Sequence, residues 1–148
     1  MREFTGNEAE VDDRMRLVAA AGVPNYFGPQ RFGREGGNLD RARDWAAGGP
    51  GPRERSQRGF LLSAARSALF NLVLAERVRR GDWNALLPGE AVMLDGRRSY
   101  FRAPEPDDAL RARCEQMDVH PTGPLWGAGD SPAAGAAQAV EQQALAQE

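Results

Sequence analysis

SQRGFLLSAARSALFNLVLAERVRRG, residues 56–81, is the stretch on which the fold turns. Leu61, Ala65, Leu69, Leu72 and Ala75 recur at helical spacing, and Phe60, Ala64, Ala68 and Val73 widen them into one apolar face. The spacing predicts a long helix that starts at a Ser56 cap and runs to about Arg80. Arg77, Arg79 and Arg80 fall in its last turn, where the helix dipole favours cations, and Gly81 is a good stop. A basic amphipathic helix can lie on a membrane or bind a partner helix. Leu61, Leu69 and Leu72 nevertheless have core spacing, and the run FLLSAARSALFNLVLA is broken by Arg66 and Asn71 and is too short to cross a bilayer. The reading is a core helix.

Upstream, Asn7 or Thr5 caps a helix with Glu8 and Glu10 in its first turn; Val11, Met15 and Val18 keep helical spacing until Gly22 and Pro24 end it. Asn38 to Ala47 reads as a short helix with Leu39, Ala42 and Trp45 on its buried side, and GGPGPRERSQ as a flexible joint. Downstream, Ala91–Leu94 and Ser99–Arg102 flank a DGRR turn as a small hairpin. Asp107 caps a helix through Met117, HPTGPLWGAGDSP is a loop, and Ala133 to Gln147 forms an Ala/Gln-rich helix with little apolar face of its own. The class is α+β and helix-rich.

Composition narrows the chemistry. The chain has 148 residues, 41% hydrophobic and 27% charged, which are globular values. Cys114 is the only cysteine, so no disulfide framework or thiolate zinc cluster is available. The acidic start lacks an apolar signal region, and the cytoplasm is the expected compartment. A net charge of −2 conceals segregation: residues 23–102 carry fourteen Arg against eight acids, whereas residues 103–148 carry two against eight. Local fields of that kind, rather than the whole-chain sum, steer a polyanion. Every basic residue is Arg, which fits phosphate bidentately and stacks on bases, although GC-rich coding produces the same bias.

GVPNYFGPQRFGREGGN, residues 22–38, is the basic, aromatic centre of that block. Gly28 and Gly33 permit positive φ or close approach, Pro24 and Pro29 stiffen the loop, and Arg31 and Arg34 can reach phosphate. Phe27, held on a constrained turn, can stack on a nucleobase. The plainer alternative is that Tyr26, Phe27 and Phe32 plug the core beneath a loop.

This loop, with LSAARSALFN (62–71) and HPTGPLWG (120–127) in that order, resembles the TruD family of tRNA pseudouridine synthases. The likeness runs from about Asp12 to the end of the chain and includes the LPGEAVMLDGRRSYF hairpin (87–101). The resemblance implies isomerisation of a uridine in tRNA, typically uridine 13, to pseudouridine, without cofactor or metal. In that chemistry an aspartate attacks the sugar, the glycosidic bond breaks, and the uracil rotates and rejoins through carbon. The family's NxF element maps onto Asn25, which would position the carboxylate or the base, and Phe27, which would stack on the flipped uracil. Gln30, Arg31 and Arg34 are implied RNA contacts, and Thr122 to Gly127, with Gly123, a cleft-lining turn. Residues 1–81 would be part of the catalytic domain and residues 82–148 most of a small α/β insertion domain. The intact enzyme would be a monomer acting on tRNA, with no membrane role.

The family's nucleophile belongs to an upstream G-x-K-D-[KR]-x-A-x-T element. None of the ten aspartates here (12, 13, 40, 44, 82, 95, 107, 108, 118 and 130) follows a lysine or precedes A-x-T. The chain is therefore expected to be a middle piece lacking the catalytic Asp and inactive alone. The alternative is a non-catalytic RNA-binding remnant or a gene fragment. Asp12 and Asp13 read as solvated charges, Asp95 as a turn residue, His120 as a surface imidazole and Cys114 as a small buried apolar group. Arg66, among apolar neighbours, would need a partner if buried or half-buried, either a carboxylate or an RNA phosphate. Without the rest of the sheet, the long helix should expose apolar surface and leave the first half marginally stable.

Overall fold

The computed structural model describes residues 6–127 and 129–146. It contains five α-helices, α1 (Glu8–Ala21), α2 (Gly37–Ala46), α3 (Arg55–Arg80), α4 (Asp108–Glu115) and α5 (Gly135–Leu145). Three strands, β1 (Glu90–Leu94), β2 (Tyr100–Ala103) and β3 (Val119–Pro121), complete the mixed, helix-rich α+β architecture.

The predicted helices form, with changes at their edges. Asn7 caps α1 by accepting from the Ala9 amide at 3.0 Å, and Asp107 caps α4 by accepting from the Leu110 amide at 2.8 Å. Thr5, the other cap candidate for α1, and Gln147, the expected end of α5, lie outside the described residues. Ser56 is not the cap of α3: Glu54 holds that position, and Ser56 lies inside the first turn with its hydroxyl on Glu54. The helix is also longer than its apolar run. At 26 residues it is long and apolar enough, by length and composition, to cross a membrane. It instead packs against α2 and α5 and buries Leu61, Ala64, Ser67, Val73, Glu76 and Arg77. Ala75 and Phe60, expected on the inner face, are exposed. The true buried stripe mixes small, apolar and charged groups, because its neighbours bring carboxylates of their own.

The expected joint before α3 is tied down rather than loose. The Gly49 amide donates to Asp44 O at 2.9 Å, and Arg58 Nε donates to Pro52 O at 2.7 Å. The hairpin gains a third strand that alternation did not announce. The order is β2-β1-β3, antiparallel throughout, with Val92 opposite both Phe101 and Pro121. A three-residue strand ending in proline is too short to show a period, and an edge position tolerates the missing donor. Leu86, Val92, Ala103, Cys114 and Val119 form the core between sheet and α4, with Leu94 and Leu110 packed against it.

The fifth helix has a buried side after all, made of Ala137, Val140, Glu141 and Ala144. Alanines let α5 approach α3 closely, which hydrophobicity alone did not convey. Gly89 locks β1 to the start of α5. Its φ is +83°, its carbonyl accepts from the Ala134 amide at 2.8 Å, and an added Cβ would come to 2.0 Å from Ala134 O. By contrast α1 buries none of its residues, and Val11, Met15, Leu17 and Val18 are all exposed.

Candidate functional site

The loop between α1 and α2 is not irregular throughout. Pro29–Phe32 and Arg34–Gly36 form two short 3-10 turns, separated by Gly33 at φ +79°. Gly28, with φ −75°, needs no glycine-specific conformation. What holds the loop is a side chain 44 residues away. Asn71 Oδ1 accepts from the Phe27 amide at 2.9 Å, and Asn71 Nδ2 donates to Phe27 O at 2.9 Å. Phe70, next on the same helix, meets the Phe27 ring edge-on at 5.3 Å and 76°.

Phe27 is half-buried and its ring is not sealed off. The Arg31 guanidinium lies over it at 5.2 Å, in cation–π range, and Arg31 Nη1 donates to Ser63 Oγ at 3.2 Å. Tyr26, Phe27, Gly28, Gln30, Arg31, Asn38, Phe60 and Ser63 line a cleft of about 720 Å³ here, and no acid is among them. Arg31 thus rests on a neutral hydroxyl and a ring face, both of which a phosphate or carboxylate would outcompete. Arg34 is exposed and is not part of this lining.

Asn25, Thr122 and Gly123 face elsewhere. They line a larger cavity of about 1100 Å³ between the end of α1, α3 and the segment that follows β3. Arg66, Phe70, Trp83, Tyr100, His120 and Trp126 also reach it. The paired candidates Asn25 and Phe27 therefore stand at the rims of two adjoining hollows, with Phe70 in the wall between them. The 122–127 segment lies as a strap on α3. Arg66 is exposed rather than buried, and its Nη2 donates to Leu125 O at 2.8 Å, a backbone carbonyl that was not among the expected partners. Gly123 gives Phe70 its room: a Cβ there would come to 2.4 Å from Phe70 Cε2.

Sequence reasoning missed the buried charges. Arg77, expected only as a cation favoured by the helix dipole, has a side chain only 7% exposed. Its Nη1 donates to Glu90 Oε2 at 2.7 Å, and its Nη2 donates to Asp82 O at 2.8 Å and to Ala85 O at 2.6 Å. Arg77 Nε and Asp82 Oδ1, 3.4 Å apart, are too poorly aligned to bond. Burial pushes the Glu90 carboxyl above the usual range despite the pull of Arg77. Burial likewise raises Glu141, although Ser131 Oγ donates to its Oε2 at 2.7 Å. The only cue to these positions was the Pro88-Gly89-Glu90 turn, whose acid sits where a strand begins. His120, read as a bare surface imidazole, pairs through Nε2 with Asp95 Oδ1 at 2.9 Å. Cys114 is buried, as expected of a small apolar group, and its thiol donates to Asn84 O. Among the described residues, no three His, Cys, Asp or Glu side chains gather for a metal ion.

Comparison with known proteins agrees with the motifs. The sequence model of the family tRNA pseudouridine synthase D (TruD) matches residues 54–148. A tRNA pseudouridine synthase D of Nitrosococcus oceani is 53% identical over 146 residues, covering 99% of this chain and 41% of that protein. Proteins of the same name from Xanthomonas campestris pv. campestris and Pseudomonas fluorescens are 49% and 47% identical, over 98% and 100% of this chain. In each of these two, the match covers 42% of the relative's length. The chain thus spans about two-fifths of the curated relatives it matches. Since the family match covers more than half of the chain and the likeness to full-length relatives extends over nearly all of it, this chain belongs to the TruD family of tRNA pseudouridine synthases.

Proposed function

We propose that this chain forms one wall of the uridine site and part of the tRNA cleft of an enzyme that converts uridine, at position 13 of tRNA, to pseudouridine. Residues 1–81 belong to its catalytic domain and residues 82–148 to its insertion domain. Asn25 orients the base or the attacking carboxylate from the larger cavity, and Phe27 stacks on the extruded uracil. Gln30, Arg31 and Arg34 hold the RNA backbone on one side, Thr122 and Gly123 on the other. The observation that carries this reading is the acid-free cleft in which, among the described residues, Arg31 covers Phe27 without a carboxylate partner. The arginine stands over the ring where a base would stack, and a phosphate would draw it away.

The nucleophile is not among these residues. No aspartate here stands in a G-x-K-D element, Glu90 and Glu141 are buried on structural partners, and Asp95 is paired with His120. Orientation by Asn25 and Phe27 does not break a glycosidic bond, and loss of a nucleophile costs several orders of magnitude in rate. The intact enzyme works as a monomer in the cytoplasm, without metal or cofactor. Two measurements with an unmodified tRNA transcript test this. Binding should weaken steeply with salt, because phosphate contacts release counterions. Incubation should give no pseudouridine; its formation by this chain alone would refute the assignment of the nucleophile elsewhere.

A further inference from the structure

Asn71 occupies an unusual place: a half-buried amide in the middle of the longest helix, with both of its polar atoms spent on another segment's backbone. Side chains of this kind in a helix interior ordinarily face solvent or bond back within their own helix. Here the amide's acceptor takes the Phe27 N–H and its donor satisfies the Phe27 C=O, so it caps that residue much as a neighbouring strand would. With both backbone groups held, the peptide units flanking Phe27 cannot rotate, and the direction of its Cβ is set. Phe70 closes the other degree of freedom. Its ring meets Phe27 edge-on, and Gly123 lies so close to the Phe70 ring that a Cβ there would clash with it.

We propose that Asn71 is a positioning residue of the uridine site, acting through Phe27: it holds the ring in the orientation that receives an unstacked base. This rests on the stacking role given to Phe27 above. The asparagine amide is chemically specific for the task. Aspartate keeps the acceptor but loses the donor, leaving Phe27 C=O unpaired beside a negative charge. Leucine matches the shape and supplies neither bond. Glutamine is one methylene too long for the 2.9 Å pair of contacts.

The test is a double-variant cycle on this chain, reading affinity for an unmodified tRNA transcript. Base stacking on one aromatic ring is worth roughly 5- to 150-fold in affinity. Phe27→Leu should weaken binding by roughly tenfold within that range, and Asn71→Ala should weaken it comparably. The double variant should be no weaker than Phe27→Leu alone, because a positioning residue has nothing left to position. The slope of affinity against salt should stay unchanged in Asn71→Ala, since no phosphate contact is removed. Asn71→Leu, which keeps the shape and supplies neither bond, replaces Asn71→Ala should the latter lose its helical circular dichroism. Losses that multiply in the double variant, a reduced salt slope in Asn71→Ala, or undiminished binding by Asn71→Ala beside a weakened Phe27→Leu would each overturn the proposal. Undiminished binding by Phe27→Leu would instead remove the stacking role itself, and the proposal with it.

Discussion

Single residues show how this chain balances burial against charge. Arg77 brings a guanidinium into the junction of α3, β1 and the 82–85 turn, where Glu90 and two carbonyls neutralise and saturate most of it. Breaking one partner of such a pair leaves an uncompensated buried charge. Glu90→Gln should therefore destabilise the fold by about 3–5 kcal/mol, measured by urea denaturation. Glu141 is different, because its hydroxyl partner satisfies a neutral amide equally well. Its carboxyl sits above 4.5 in the native state, so the folded chain binds protons more readily than the unfolded one. The associated stability is fully present below pH 4.5 and is lost as pH rises through the native value. The thermal midpoint should accordingly rise as pH falls from 7 toward that range, and Glu141→Gln should flatten the rise. A midpoint that falls equally steeply in wild type and variant would contradict this.

Between elements, fit depends on a few positions without side chains. Gly89 brings the start of β1 within hydrogen-bond reach of the start of α5, at a positive φ and with no room for a methyl group. Gly89→Ala should cost about 1–3 kcal/mol for the backbone alone, with the clash added, and should detach α5 first. Faster amide exchange over 137–145 than over β1 would report that order. Gly123→Ala drives a methyl group into Phe70 and should lift the strap from α3. The expected signature is weaker tRNA binding together with loss of the contact between Arg66 and Leu125 O. A crystal structure of the variant with that contact intact would refute the coupling.

At the scale of the molecule, the chain is unevenly finished. The sheet and α4 close a small core, whereas α1 rides on the surface with Met15 61% and Leu17 63% exposed. The first half of α3 adds Phe60 at 67% and Leu62 at 52%. The expected apolar exposure thus exists, but α1 carries as much of it as the long helix does. Unburied apolar area withholds roughly 25 cal/mol per Å² from the folded state. The isolated chain should melt broadly and at low temperature, and should bind an apolar dye before melting. A sharp, cooperative transition at high temperature would show that the second half suffices to hold the first.

Helices and caps were legible in the residue order because they depend on neighbours three and four positions apart. Asn7, Asp107, Gly81 and the leucines of α3 carried that information locally, as did the three ordered motifs for the family. β3 was not legible, since three residues cannot display a period and its pairing energy comes from Met93 and Val92 nearly thirty positions earlier. Nor were the bonds of Asn71 to Phe27, the burial of Arg77 or the partner of Arg66. A polar side chain's partner is chosen by whichever donor or acceptor the fold brings within 3 Å, and no local pattern encodes that choice. The order of residues alone determined which aromatic and basic groups this protein carries and which of its segments form helices; tertiary packing decided which of those groups face a cleft, because directed bonds between distant segments orient them.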